Sequence, residues 1–198
     1  MYQTIYQEWQ NRPQAFWQAQ ATRVSWDTPP QTIFEANKTG DRWYVDGTLN
    51  TCFNCVDRHV QSGHGERIAF IHDSPLTGRV SKLSYADLLD RVELVAGMLA
   101  DHGVEKGDRV IIYMPMITET AIAALACARL GAVHSIVFGG FAAAELATRL
   151  DDAKPKLVLA ASCGLEPGRT IAYKPLLDGA IELASHKPQA CLIFQRPE

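Results

Sequence analysis

The residues best suited to holding a ligand fall in three short stretches of this 198-residue chain. Phe138-Gly139-Gly140-Phe141 sets two residues without Cβ side by side, so the backbone can enter positive φ and a ligand can approach the peptide amides closely. A plain tight turn uses the same pair, and the spacing alone leaves both readings open. Glu166-Pro167-Gly168-Arg169 presents a guanidinium behind a rigid turn, where its fork can hold a terminal phosphate through two charge-assisted hydrogen bonds or face solvent. The third stretch, Tyr113-Met114-Pro115-Met116-Ile117-Thr118-Glu119, follows an apolar run. Cys52-x-x-Cys55 with His59 begins like a zinc or redox site, but no second ligand pair follows, and both cysteines are expected to pack in the core on a helix. His134 lies in an apolar run and is expected as a hydrogen-bonded core histidine, with His64, His72, His102 and His186 on loops or the surface. There is no G-x-x-x-x-G-K-[ST], no G-x-G-x-x-G with its later acidic residue, no Ser-x-x-Lys and no obvious pair of catalytic carboxylates. A Rossmann-type dehydrogenase is therefore excluded.

The elements that must position these stretches can be read from periodicity. Ile68 to Ile71 and Arg79 to Leu83 flank Ser74-Pro-Leu-Thr-Gly78, a β-hairpin pattern. Ser84 with Asp87 three residues on forms a capping box ahead of Leu88, Leu89, Val92, Val95 and Leu99 at helical period, and Gly103 closes that helix. Strands at 110–113, 133–137, 157–160 and 191–194 then alternate with helices at 119–130, 142–150 and 176–184. Short apolar strands separated by amphipathic helices predict right-handed βαβ units and a parallel sheet with helices on its faces. In such sheets ligands settle beyond the carboxyl ends of the strands, which is where all three stretches lie, Glu166 to Arg169 within a long loop expected over 161–170. The last strand has no covering helix after it, so the sheet is expected to be incomplete. Asn50 is expected to cap a helix through Val60.

The first 49 residues differ in character. All four tryptophans stand among Tyr2, Tyr6, Trp9, Phe16, Trp17, Trp26, Phe34, Trp43 and Tyr44, predicting an irregular, aromatic-rich layer of short helices covering a larger core. The expected division is a segment 1–64 and the start of a second domain at 65–198. A hydrophobic content of 47% with 21% charged residues describes a globular chain, and the formal charge of -3 gives no positive field for nucleic acid or an anionic bilayer. The longest apolar runs fall short of the roughly 20 residues that span a bilayer. Five scattered cysteines fit a reducing compartment. A soluble, cytoplasmic protein without a secretory signal is expected, the mitochondrial matrix being the alternative if the natural N-terminus differs.

Taken together and in order, Asn50-Thr-Cys-Phe-Asn-Cys-Val-Asp-Arg-His59, Tyr113 to Glu119 and Ala126-Cys-Ala-Arg-Leu-Gly-Ala-Val-His-Ser-Ile-Val-Phe-Gly-Gly-Phe141 closely resemble the N-terminal part of short-chain acyl-CoA synthetases. These form the acetyl- and propionyl-CoA synthetase group of the adenylate-forming superfamily. Glu166 to Arg169 followed by Tyr173-Lys-Pro-Leu176 is more similar to the propionyl branch. The resemblance implies an α/β fold in which an aromatic-rich helical segment wraps on an incomplete, mostly parallel sheet with flanking helices. It implies ATP with Mg2+, coenzyme A (CoA) and a short-chain carboxylate as reactants, joined through an acyl-adenylate. It also implies that Phe138, Gly139 and Gly140 line the CoA site and that Glu166, Pro167, Gly168 and Arg169 meet the CoA nucleotide, Arg169 as phosphate partner. Relatives often carry a second basic residue where Glu166 stands. The family's phosphate loop, its adenine and ribose motifs and its C-terminal lysine should lie beyond residue 198, so this chain alone is expected not to catalyse the reaction. The missing remainder of the enzyme is thus the expected partner. The competing expectation is a non-catalytic CoA-binding or interaction module.

Overall fold

A computed structural model describes residues 2–198 as two compact units, one reaching Asn54 and the other beginning at Cys55. In the first unit, helix α1 (Tyr2–Asn11) is followed by α2 (Pro13–Ala21), with Pro13 in the first turn, where its missing N–H leaves no bond unmade. A two-residue ribbon, β1 (Phe34–Glu35) against β2 (Arg42–Trp43), carries the aromatic cluster. Trp43 packs edge-on against Trp17 at 5.4 Å and beside Phe34 at 4.8 Å. The indole of Trp26 donates to the Ala21 carbonyl at 2.8 Å.

The expected helix from Asn50 forms in altered shape: Asn50 Oδ1 accepts from the Phe53 N–H at 3.0 Å, but the chain then winds into π-type turns at Phe53–Asp57 and Val60–His64. These wider turns separate positions three apart. Cys52 is consequently buried while Cys55 is exposed, correcting the expectation that both pack in the core.

The second unit starts with the expected hairpin, β3 (Ile68–Ser74) and β4 (Arg79–Ser84). Helix α3 (Tyr85–Asp101) follows with its capping box formed: Ser84 Oγ accepts from the Asp87 N–H at 3.1 Å, and Asp87 Oδ2 accepts from the Ser84 N–H at 3.2 Å. The succession β5 (Arg109–Met114), α4 (Thr118–Leu130), β6 (Val133–Phe138), α5 (Ala143–Ala153), β7 (Leu157–Ala161), α6 (Lys174–Leu183) and β10 (Ala190–Phe194) realises the alternation read from the sequence. Where a long loop was expected after β7, a second hairpin stands instead, β8 (Cys163–Glu166) with β9 (Arg169–Ala172).

The four-stranded sheet runs β10-β7-β5-β6, all parallel. Nearly every residue of β5 and all of β7 is buried, which is why both read as unbroken apolar runs. From β5 the chain steps one way to β6, and from β6 through β7 to β10 it steps back the other way. Right-handed crossovers therefore put α4 on one face and α5 and α6 on the other, consistent with α3 packing on α4 and α5 on α6. Strand β6 is an edge, and its alternating residues His134, Ile136 and Phe138 are all exposed. His134 is thus no core histidine: its strand was read as internal from its apolar neighbours, but it lies at the border of the sheet.

Polar ties hold the layers at their ends. Arg129 on α4 grips Asp57 through two bonds of 2.9 and 2.8 Å and reaches Glu93 on α3 at 2.7 Å. Asp108, just before β5, accepts from Lys156 at 2.9 Å and from the Glu105 N–H at 2.9 Å, and the Lys156 hydrogen bond is the main cause that lowers its carboxyl below the usual 3.8. A depressed folded value means that this contribution is present above the unfolded value and is lost as pH falls through the folded one. Chemical denaturation between pH 6 and 3 should therefore show a shallower acid loss of stability in Asp108→Asn than in the parent chain; equal slopes would refute the coupling.

Candidate functional site

Because β5 sends its chain to α4 on one face while its neighbour β7 leads to α6 on the other, the two connections diverge. A crevice opens between them beyond the carboxyl ends, as open α/β sheets require at a change of strand order. A cleft of about 240 Å³ lies there. It is lined by Pro115, Met116 and Ile117 after β5, Phe138 and Gly139 after β6, and Gly164, Leu165 and Glu166 of β8. His72, Ser74 and Leu76 from the first hairpin, Ile171 of β9, and Tyr173 and Arg196 complete the wall. His72, expected on a loop or the surface, is a strand residue that lines this cleft.

Of the seven residues singled out from the sequence, Phe138, Gly139 and Glu166 line the cleft, while Gly140, Pro167, Gly168 and Arg169 stand outside its wall. The glycine pair divides its labour. Gly140 takes φ +98°, a conformation that disfavours any side chain, and its N–H donates to the Tyr113 hydroxyl at 3.3 Å. Gly139 has no such backbone requirement; a Cβ there would lie 2.5 Å from the Tyr173 hydroxyl. Gly164 faces the same hydroxyl from β8 with even less room. The missing side chains at 139 and 164 thus make space for the Tyr173 ring, which no spacing argument could reveal across 34 residues of chain.

Tyr173 is 3% exposed, and Tyr113 beneath it is fully buried, with ring centroids 5.1 Å apart. The Tyr113 hydroxyl is fully engaged, since it also donates to the Phe141 carbonyl at 3.0 Å. Burial, followed by the neighbouring Tyr113, pushes the Tyr173 hydroxyl up to about 12, so it stays protonated across the physiological range.

The Glu166-to-Arg169 motif is the tip of the β8–β9 hairpin. Pro167 and Gly168, the latter at φ +77°, fill the two central positions, and this places Glu166 directly opposite Arg169. Arg169 Nε and Nη2 both donate to Glu166 Oε2, at 2.8 and 2.5 Å. The guanidinium assigned to a phosphate is thus engaged by its cross-strand neighbour, at the exposed end of the hairpin. Arg196 was missed by the sequence reading, though it follows the carboxyl end of β10 and the strand-end rule would have found it. It is 9% exposed and donates to the Cys163 carbonyl at 3.2 Å.

Among the described residues no group of three or more His, Cys, Asp or Glu is placed to hold a metal ion. Nor is any helix among them long and apolar enough to cross a membrane.

Comparison with known proteins agrees with this architecture. Residues 56–196 match the model of the AMP-binding enzyme family, and residues 2–55 match that of the acetyl-coenzyme A synthetase N-terminus. The chain belongs to the AMP-binding enzyme family. Within that family it corresponds to the N-terminal portion of the short-chain acyl-CoA, acetyl-CoA and propionyl-CoA synthetase group, as the resemblance implied. It is 48% identical to the mitochondrial acyl-CoA synthetase short-chain family member 3 of Bos taurus, over 93% of this chain and 27% of that protein. It is 45% identical to the propionate–CoA ligase of Escherichia coli K12, over 97% of this chain and 31% of that one. With the acetyl-coenzyme A synthetase of Streptomyces coelicolor the identity is 51%, over 85% and 26% respectively. The chain thus spans less than a third of the length of these relatives.

The steric account of Gly139 is testable by urea denaturation. Gly139→Ala should cost about 1–3 kcal/mol, the usual penalty for overpacking, and much less in a Tyr173→Ala background where the ring is gone. Equal costs in the two backgrounds would show that Tyr173 is not the obstacle.

Proposed function

We propose that this chain supplies the CoA-facing part of an ATP-dependent short-chain acyl-CoA ligase. The whole enzyme would convert propionate or acetate, ATP and CoA to acyl-CoA, AMP and pyrophosphate through an acyl-adenylate. The observation that carries the reading is the cleft at the change of strand order, which brings Phe138 and Gly139 from one loop to Glu166 of another, 27 residues later in the chain. The names of the three relatives support the reaction class.

On this reading Phe138, which lines the cleft yet is 63% exposed, offers an aromatic face at the cleft mouth. Gly139 and Gly140 keep the backbone low beside it. Glu166, Pro167, Gly168 and Arg169 form a charged lip, with Arg169 turning to a CoA phosphate in exchange for Glu166. On this reading the chain's own contribution is binding and orientation. The five scattered cysteines support a reducing compartment, the cytoplasm first and the mitochondrial matrix as the alternative.

Isothermal calorimetry of the 198-residue chain should detect CoA binding, weakened by Arg169→Ala about tenfold, the scale of a lost charge-assisted hydrogen bond. No heat at millimolar CoA would overturn the assignment of the cleft. The same chain with ATP and propionate should release no pyrophosphate above background.

A further inference from the structure

Two tyrosines of opposite status pack together with their rings tilted by 38°, and Tyr173 lines the cleft. The Tyr113 hydroxyl has both its hydrogen-bonding roles filled, accepting from Gly140 and donating to Phe141. The Tyr173 hydroxyl, 97% buried as a residue and part of the cleft lining, has no hydrogen-bond partner among the described residues. The hydroxyl oxygen is not sealed off, since among the described residues the buried side-chain polar atom left without a partner is Trp17 Nε1; Tyr173 presents an unused donor to the cleft, where phenylalanine would present none. The hydroxyl oxygen is also the atom nearest to where Cβ atoms at 139 and 164 would lie, so both glycines make room for it.

We propose that Tyr173 is a ligand-contacting residue whose hydroxyl donates to a carbonyl oxygen of an extended, uncharged amide chain lying in the cleft. The walls select that class. Leu76, Pro115, Met116, Ile117, Leu165 and Ile171 are apolar, so a charged group here would lose hydration without a counter-charge. The one cation of the wall, Arg196, is held by the Cys163 carbonyl and by Glu198 at 3.1 Å. A narrow amide chain with apolar flanks needs one donor at the depth of its carbonyl, and Tyr173 offers it. The proposal rests on the CoA reading, in which the pantetheine arm, with its two amides, is that chain. It adds a residue that no part of that reading uses. Because burial holds the hydroxyl protonated to about 12, the donor should act equally at pH 6 and pH 9.

The test is Tyr173→Phe, which keeps the ring and removes only the hydroxyl. Calorimetry would measure CoA, D-pantetheine and adenosine 3′,5′-bisphosphate on the parent and variant chains at pH 6 and 9, with thermal unfolding alongside. The expected result is a loss of about 3- to 10-fold for CoA and pantetheine, the scale of one neutral hydrogen bond. That loss should be equal at both pH values, with adenosine bisphosphate affinity unchanged and the unfolding midpoint not lowered. Parent-like CoA affinity in the variant overturns the proposal and leaves the CoA reading standing. An equal loss for adenosine bisphosphate also overturns it, since that ligand lacks the amide arm and the effect would then be structural. A parent chain that binds none of the three ligands overturns the CoA reading and this proposal together.

Discussion

The architecture of the second unit depends on two neighbouring parallel strands that are buried together. β5 and β7 are hydrogen-bonded from Val110 with Leu157 to Tyr113 with Ala160, and almost none of their surface reaches solvent. A parallel pair of this kind needs a layer on each face, and right-handed crossovers allow those layers only if the chain leaves the two strands in opposite directions. The cleft follows from that geometry. Its walls include the connections after β5, β6 and β7, so the requirement that buries the core also opens a place where backbone ends and polar side chains converge.

Within this frame the tyrosine wedge ties the connections together. Tyr173 begins the turn into α6, yet its ring lies against the glycine after β6 and the glycine in β8. Its packing partner Tyr113 closes the loop after β6 through two hydrogen bonds. Three chain segments far apart in sequence are thus fixed to one another by two rings and by the absence of two side chains. Close packing makes such an arrangement intolerant of added volume and rigid in position, the property a binding cleft needs.

Much of this was legible in the sequence, for physical reasons that can be assigned. β5 and β7 announced themselves because a strand covered on both faces is apolar at every position. α3 did so because Ser84 and Asp87 form the cap that the pattern describes. The β8–β9 hairpin was not legible: Cys163-Gly-Leu-Glu166 has no alternation, and Pro167-Gly168 marks a turn without saying that strands flank it. His134 misled because edge and internal strands share local composition and differ only in topology. Gly139 was found, but half of the reason offered for it was wrong. Sequence suggests what a glycine permits its own backbone, and the structure shows that here it yields space to a residue 34 positions away.

The Glu166–Arg169 pair raises a question that magnitudes can answer. Both side chains are well exposed, 46% and 69%, and an exposed pair of this kind contributes about 0.2–1 kcal/mol at most. A phosphate that receives two bonds from the same guanidinium gains more, because it carries greater charge and matches the fork. On the proposed reading the carboxylate would therefore not block the arginine; it would occupy it weakly and give way to a stronger anion. What Glu166 would change is selectivity. A negative charge beside the proposed phosphate position would remove part of the long-range attraction for any anion, so occupancy would draw on contacts along the rest of the ligand, and binding would be weighted toward the apolar cleft and away from the charged lip.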